Sequence, residues 1–77
     1  MTVKLKFFAG LREYLPEGSN PYPAELPDEA TVGDALRTFG VPEDKPRILL
    51  VNGRHSDLEQ TLQEGDELSV FPPIAGG

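Results

Sequence analysis

One segment, residues 31–40, has the full pattern of a short amphipathic helix. Thr31 is a typical N-cap, and Asp34 three residues later completes a variant of the capping box. Apolar residues follow at helical spacing and share one face; they are Val32, Ala35, Leu36 and Phe39. Gly40 is placed to end the helix in the left-handed conformation, and Pro42 prevents its resumption. The chain must therefore fold so that one face of a single main helix is buried.

The other ordered segments have the patterns of short strands. Alternation of apolar and polar residues predicts that Val3, Leu5 and Phe7 share the buried side of the first strand. Asn52-Gly53 predicts a tight hairpin turn after a fully apolar strand. The predicted strands are residues 2–8, 22–26, 48–51, 54–56 and 67–71. Prolines bracket the second of these, which indicates an edge strand.

Helical spacing of apolar residues also predicts single turns of helix at residues 9–15 and around Leu58 and Leu62, the latter closed by Gly65. The order strand, strand, helix, then two or three further strands predicts an α+β fold. It is typical of the β-grasp (ubiquitin-like) fold, a mixed sheet of about five strands packed on one main helix. A chain of 77 residues has room for one domain, which we place at residues 1–71.

Composition excludes several classes of function. A formal net charge of −6 argues against nucleic acid binding and fits either a more basic protein partner or simple solubility. Cysteine is absent, which excludes disulfides, thiolate nucleophiles and zinc-thiolate sites, and the lone His55 has no companion ligand at useful spacing, so we expect no metal site. No apolar run has the length of a membrane helix or of a signal-peptide core, so we expect a cytoplasmic protein without membrane contact.

Residues 72–77 predict an extended C-terminal tail. Pro72 and Pro73 favour an extended backbone directed away from the domain. Gly76 and Gly77 have no side chains, so another protein's backbone can approach them closely. Fully extended, this tail reaches roughly 20 Å, enough to enter a recessed active site. The alternative is an ordinary frayed terminus.

Four segments in order resemble the MoaD/ThiS sulfur-carrier superfamily, and among its members the resemblance is greatest to MoaD, the small subunit of molybdopterin synthase. They are residues 7–13 (Phe-Phe-Ala-Gly-Leu-Arg-Glu), 31–36 (Thr-Val-Gly-Asp-Ala-Leu), 51–53 (Val-Asn-Gly), and 65–67 (Gly-Asp-Glu) leading into 71–77 (Phe-Pro-Pro-Ile-Ala-Gly-Gly). The diproline and the first segment favour MoaD over ThiS.

The resemblance implies a carrier of sulfur for molybdenum or tungsten cofactor biosynthesis. An activating enzyme would use ATP and magnesium to adenylate Gly77, and sulfur would then convert it to a thiocarboxylate. The chain itself would bind no cofactor and would be no enzyme. Glu64, Asp66 and Glu67 precede the last strand and fit a solvated surface, so we assign no catalytic side chain.

The resemblance also implies partners and site residues. The partners would be a MoeB-like adenylating enzyme, a MoaE-like large subunit of molybdopterin synthase, and a sulfurtransferase as sulfur donor. We assign threading into their channels to the tail residues before Gly77, which are Pro72, Pro73, Ile74, Ala75 and Gly76. Phe8 and Phe71 would meet at the start of the tail if their strands are parallel neighbours, and would form a docking surface. Alternatively, Leu11, Tyr14 or Leu15 covers Phe8.

Other functions remain open at this point. The sulfur could go to tRNA, thiazole or cysteine instead of the pterin. The same activated Gly77 could form an isopeptide bond to a lysine, which would make the chain a ubiquitin-like protein modifier. A third alternative is an interaction module with an inert tail.

Overall fold

The computed structural model describes residues 1–16, 20–42, 44 and 48–73. Within them the chain forms five strands, one α-helix and one 3₁₀ helix. In chain order they are β1 (Thr2–Phe7), the 3₁₀ helix (Ala9–Tyr14), β2 (Tyr22–Glu25), α1 (Val32–Thr38), β3 (Ile48–Val51), β4 (Arg54–His55) and β5 (Glu67–Phe71). The predicted strands, the main helix and the first helical turn are therefore confirmed.

The strands form one mixed sheet in the order β2-β1-β5-β3-β4. The central strands β1 and β5 are parallel, and the other neighbouring pairs are antiparallel. The predicted mixed sheet of five strands with one main helix is thus confirmed.

The core lies between α1 and one face of the sheet. Alternate side chains of the two central strands are fully buried; they are Val3, Leu5, Phe7, Leu68 and Val70. From the helix they meet Val32, Ala35 and Leu36, which are also fully buried. The side chains between them in the strands point to the other side of the sheet, which we call the open face. Its residues are half-buried or exposed and include Lys4, Lys6, Ser69 and Phe71.

The helix begins as predicted. The Thr31 hydroxyl accepts a hydrogen bond from the Asp34 N–H at 3.1 Å, and the Asp34 carboxylate accepts one from the Thr31 N–H at 3.0 Å. The backbone bond from Thr31, together with the Arg37 guanidinium, lowers the pKa of Asp34 from its ordinary value of 3.8. The helix ends at Thr38, and Gly40 adopts a φ of +78°, the left-handed conformation expected after a helix.

The helical turn predicted around Leu58 and Leu62 is wrong. Residues 57–66 form turns and loop, and the only pairing recorded for this part of the described chain is an isolated bridge between Thr31 and Thr61. Turn bonds are present, among them one from the Gln60 N–H to Asp57 O at 3.3 Å, but other backbone groups of this segment bond to the start of α1. The Gly33 and Val32 N–H groups donate to Leu58 O at 2.8 Å and Gln60 O at 2.9 Å. Leu62 is still buried in the core, although it lies in a loop and not in a helix.

Candidate functional site at the start of the tail

Phe8 and Phe71 form a ring stack at the point where the tail begins. Phe8 follows β1 and Phe71 ends β5, and parallel neighbouring strands end at the same edge of a sheet. The ring centroids are 4.2 Å apart and the ring planes differ by 7°. In addition, the Phe8 N–H donates to Val70 O at 3.1 Å. The predicted proximity of the two aromatic residues is confirmed.

The 3₁₀ helix leaves the Phe8 ring partly accessible. Leu11 and Leu15 are 2% and 6% exposed because they point into the core. Tyr14 is half-buried and also packs against the core. Phe8 remains half-buried beside Phe71. The ring contact recorded for Phe8 is its stack on Phe71 at the start of the tail.

Two apolar residues of β3 extend the stack, although the sequence pattern did not indicate them. Ile48 pairs opposite Phe71, and Leu50 pairs opposite Ser69, so both lie on the open face. Ile48 is 38% exposed, and Leu50 is half-buried. A run of four apolar residues has no alternation, so its pattern cannot show which side chains face outward. We call Phe8, Phe71, Ile48 and Leu50 the apolar strip.

Formal charges on the described part of the open face balance. Lys4 and Lys6 lie on β1, and Glu67 of β5 pairs with Lys6 at 3.9 Å between Nζ and Oε1. Glu25 of β2 accepts a hydrogen bond from the Thr2 hydroxyl at the same face. Because these side chains offset one another, the net charge of −6 must arise mainly on other parts of the surface. The electrostatic attraction to a basic partner that the composition allows is not centred on the apolar strip.

Carboxylates near β5 lie at its start, away from the tail. Glu64 accepts a hydrogen bond from the Thr2 N–H at 2.9 Å. Asp66 accepts from the Gln63 N–H at 2.8 Å and from Asn52 Nδ2 at 2.9 Å. These contacts stabilise the turns at the far edge of the sheet. The expectation that this chain supplies no catalytic side chain stays a prediction.

The tail is described only at its beginning, where Pro72 is half-buried and Pro73 is exposed. Ile74, Ala75, Gly76 and Gly77 lie outside the described residues, so their roles in threading and modification stay predictions. His55 is exposed in β4. The described residues hold no group of three or more His, Asp or Glu side chains arranged to bind a metal ion. Neither helix within these described ranges could span a membrane.

Comparison with known proteins decides the family. The model of the ThiS family matches residues 5–77. The chain belongs to the ThiS family. This confirms the resemblance to the MoaD/ThiS superfamily that the four sequence segments indicate.

Two of the relatives, both similar to this chain over nearly its whole length, have names of different kinds. The chain is 38% identical to small archaeal modifier protein 3 of Haloferax volcanii over 94 aligned positions, covering the whole of both chains. It is 28% identical to the molybdopterin synthase sulfur carrier subunit of Escherichia coli, covering 97% of this chain and 99% of the relative. Membership of the ThiS family therefore does not by itself choose between a modifier and a molybdopterin carrier.

Solved structures confirm the β-grasp fold. The small archaeal modifier protein SAMP1 of H. volcanii has a TM-score of 0.73 at 29% identity, with full coverage of both chains. A putative molybdopterin converting factor subunit 1 of Pyrococcus furiosus has a TM-score of 0.73 at 31% identity, covering 96% of this chain and 99% of its own. A complex of subunits 1 and 2 of the molybdopterin-converting factor of Helicobacter pylori contains a chain with a TM-score of 0.58 at 20% identity, fully covered on both sides, which shows a shared fold.

Proposed function

We propose that this ThiS-family chain carries sulfur as a thiocarboxylate on Gly77 and donates it in molybdopterin biosynthesis. The observation that supports this most directly is the apolar strip at the start of the tail. A carrier must be held by each partner while its tail reaches the partner's active site, and the strip offers a holding surface beside the tail. The motifs of residues 7–13 and 71–77 favour the molybdopterin branch.

Activation is needed because a free carboxylate resists nucleophiles. A terminal carboxyl has a pKa of about 3.3–3.7 and is ionised at neutral pH. In the proposed reaction its oxygen attacks the α-phosphorus of ATP, and pyrophosphate leaves with the bonding electron pair. The outer sulfur of a persulfide on a sulfurtransferase then attacks the acyl carbon, AMP leaves, and an acyl disulfide forms. A thiol cleaves the S–S bond, which releases the thiocarboxylate and leaves a disulfide between the thiol and the sulfurtransferase. A MoeB-like enzyme would supply magnesium and the cationic groups that stabilise the phosphate charge.

Docking would use the open face. Phe71 and Ile48 are adjacent apolar groups, and partly exposed apolar clusters of this kind mark protein interfaces. The H. pylori structure is a complex of a fold relative with subunit 2 of its molybdopterin-converting factor. By analogy, we propose that a MoaE-like subunit covers the apolar strip and receives the tail.

A second candidate is a ubiquitin-like protein modifier. The 38% identity with a small archaeal modifier over the whole chain favours it. The same adenylated Gly77 would then be attacked by a lysine amine of a target protein, with loss of AMP, to give an isopeptide bond. Activation is common to both functions, so the product must decide between them.

Intact mass spectrometry of the protein purified from its native host tests both functions. A carrier is expected to show replacement of one oxygen by sulfur. Oxidation of the single methionine, Met1, gives almost the same mass change, so fragmentation must place the change at Gly77. Alkylation with iodoacetamide provides a check, because a thiocarboxylate reacts and a sulfoxide does not.

Two outcomes would oppose the leading proposal. Detection of covalent conjugates of this chain, without any thiocarboxylate form of the free chain, would favour the modifier. A free chain that never acquires sulfur, and whose deletion leaves molybdenum-enzyme activity intact, would exclude a role in molybdopterin biosynthesis. If deletion of the gene abolished only tRNA thiolation, tRNA would be the acceptor of the sulfur instead of the pterin.

A further inference from the structure

We propose that Phe8 is a positioning residue: its stack on Phe71 sets where and in which direction the tail leaves the sheet, and thereby the rate at which bound Gly77 is adenylated. The inference rests on the proposed activation of Gly77. It differs from docking because it concerns the reaction after binding.

Phe71 is the last residue that the sheet can hold. It pairs with Ile48 on one side, and Pro72 has no N–H with which to continue the ladder. On the other side the strand pairing of β1 ends at Phe7. On the β1 side, Phe71 is therefore held by the ring of Phe8 and not by further strand pairing.

Phe8 is itself fixed by bonds on both sides. Its N–H donates to Val70 O at 3.1 Å, and its C=O accepts from the Leu11 N–H at 3.1 Å. Leu11 is anchored in the core at 2% exposure. Next to Phe8, Ala9 has a φ of +53°, a left-handed conformation that turns the chain sharply away from the sheet. The Phe8 ring thus stays beside Phe71 while the backbone departs.

The direction of Phe71 passes to the two prolines that begin the tail. Pro72 and Pro73 restrict the backbone to an extended form, so they behave as a semi-rigid spacer. Two residues of extended backbone at about 3.1 Å each span about 6 Å, so a change of about 10° at Phe71 displaces the end of this spacer by about 1 Å. Misplacing a reacting group by about 1 Å can lower a rate by about 100-fold. Loss of the stack should therefore slow adenylation more than it weakens binding.

Carrier-dependent exchange of pyrophosphate into ATP by the host's activating enzyme tests the inference. Phe8→Leu keeps an apolar side chain and removes the stack, and should lower kcat about tenfold or more while KM stays within about twofold. Phe8→Tyr keeps the ring and should restore kcat. Ile48→Ala removes part of the apolar strip beside an intact stack, and should raise KM instead.

A matched control removes a ring contact on the other side of the sheet. Tyr22 and Phe39 form an edge-to-face pair with centroids 5.4 Å apart and an interplanar angle of 78°. Phe39→Leu should leave KM and kcat of the exchange unchanged in folded protein. Amide NMR spectra of every variant establish the folded state before kinetics.

Phe71→Leu provides a second route if Phe8→Leu fails to fold. It should reduce kcat as Phe8→Leu does, and the double variant should be little worse than either single one, because both remove the same stack. A normal kcat in Phe8→Leu, or a change confined to KM, would overturn the positioning role. Absence of exchange with the unmodified chain would instead count against the proposed function.

Discussion

The side-chain amide of Asn20 bonds to both backbone groups of Phe7. Its Oδ1 accepts from the Phe7 N–H at 3.2 Å, and its Nδ2 donates to Phe7 O at 3.0 Å. Strand β2 pairs only as far as Tyr22, opposite Leu5. Asn20 therefore completes the edge of β1 as a strand partner would, just before the Phe8–Phe71 stack.

Asn20→Ala should destabilise the fold by about 1–3 kcal/mol, because each hydrogen bond contributes about 0.5–1.5 kcal/mol. Urea unfolding followed by circular dichroism measures this. Asn20→Asp keeps an acceptor for the Phe7 N–H but sets a carboxylate oxygen against Phe7 O in place of the donor, so it should lose at least as much stability as Asn20→Ala. An unchanged unfolding midpoint in Asn20→Ala would show that water replaces the amide without cost.

The capping box should make the free energy of unfolding depend on pH in the acidic range. The pKa of Asp34 is lowered from 3.8 by the Thr31 backbone bond and by Arg37, so the unfolded chain binds this proton at higher pH than the folded one. Its contribution to stability is present above pH 3.8 and is lost as pH falls through the lower, folded-state pKa. Asp34→Asn should be less stable than the unmodified chain at pH 6, with the difference shrinking below pH 3.8. Urea unfolding at several pH values checks this, and a difference that does not vary with pH would contradict it.

The apolar strip on the open face should contribute most of the affinity for the proposed partner. Phe71→Ala should weaken binding to the proposed MoaE-like subunit by about tenfold or more, because a central aromatic in an interface can contribute over 1–2 kcal/mol. Isothermal titration calorimetry measures the affinity. Glu59→Ala, at an exposed turn, serves as the control. Equal affinities for Phe71→Ala and the unmodified chain would remove the docking surface from the proposal.

The end of the tail should tolerate no side chain. Gly77→Val, or one residue added after Gly77, should leave the fold intact and abolish thiocarboxylate formation, because a Cβ there would clash in a narrow channel or bias the backbone. Intact mass after incubation with the activating enzyme, ATP and a sulfur donor reports the product. Normal adenylation of either variant would contradict the prediction.

The sequence was informative where local chemistry decides the structure. Thr31 and Asp34 determine the helix start through contacts three residues apart, and Asn52-Gly53 gives the hairpin, with φ values of +53° and +83°. Strand alternation combined with the expected parallel pairing was enough to bring Phe8 and Phe71 together.

Long-range backbone bonds explain what the sequence could not show. Leu58 and Leu62 have helical spacing, yet Leu58 O bonds to Gly33 and the Leu62 N–H bonds to Ala30 O at 2.8 Å, both remote in sequence. Likewise, only the register of β3 against β5 reveals that Ile48 faces outward next to Phe71.

The balanced charges of the open face have a consequence for successive binding to different partner proteins. The proposed carrier must leave the protein that loads it and bind the one that unloads it, and the surfaces of these two proteins need not carry the same charge. Since Lys4 and Lys6 are offset by Glu25 and Glu67, contact across this face should vary little with ionic strength. The successive partner proteins would then be distinguished by their shape and by whether Gly77 carries sulfur. The chemical state of Gly77 can therefore determine which partner binds next.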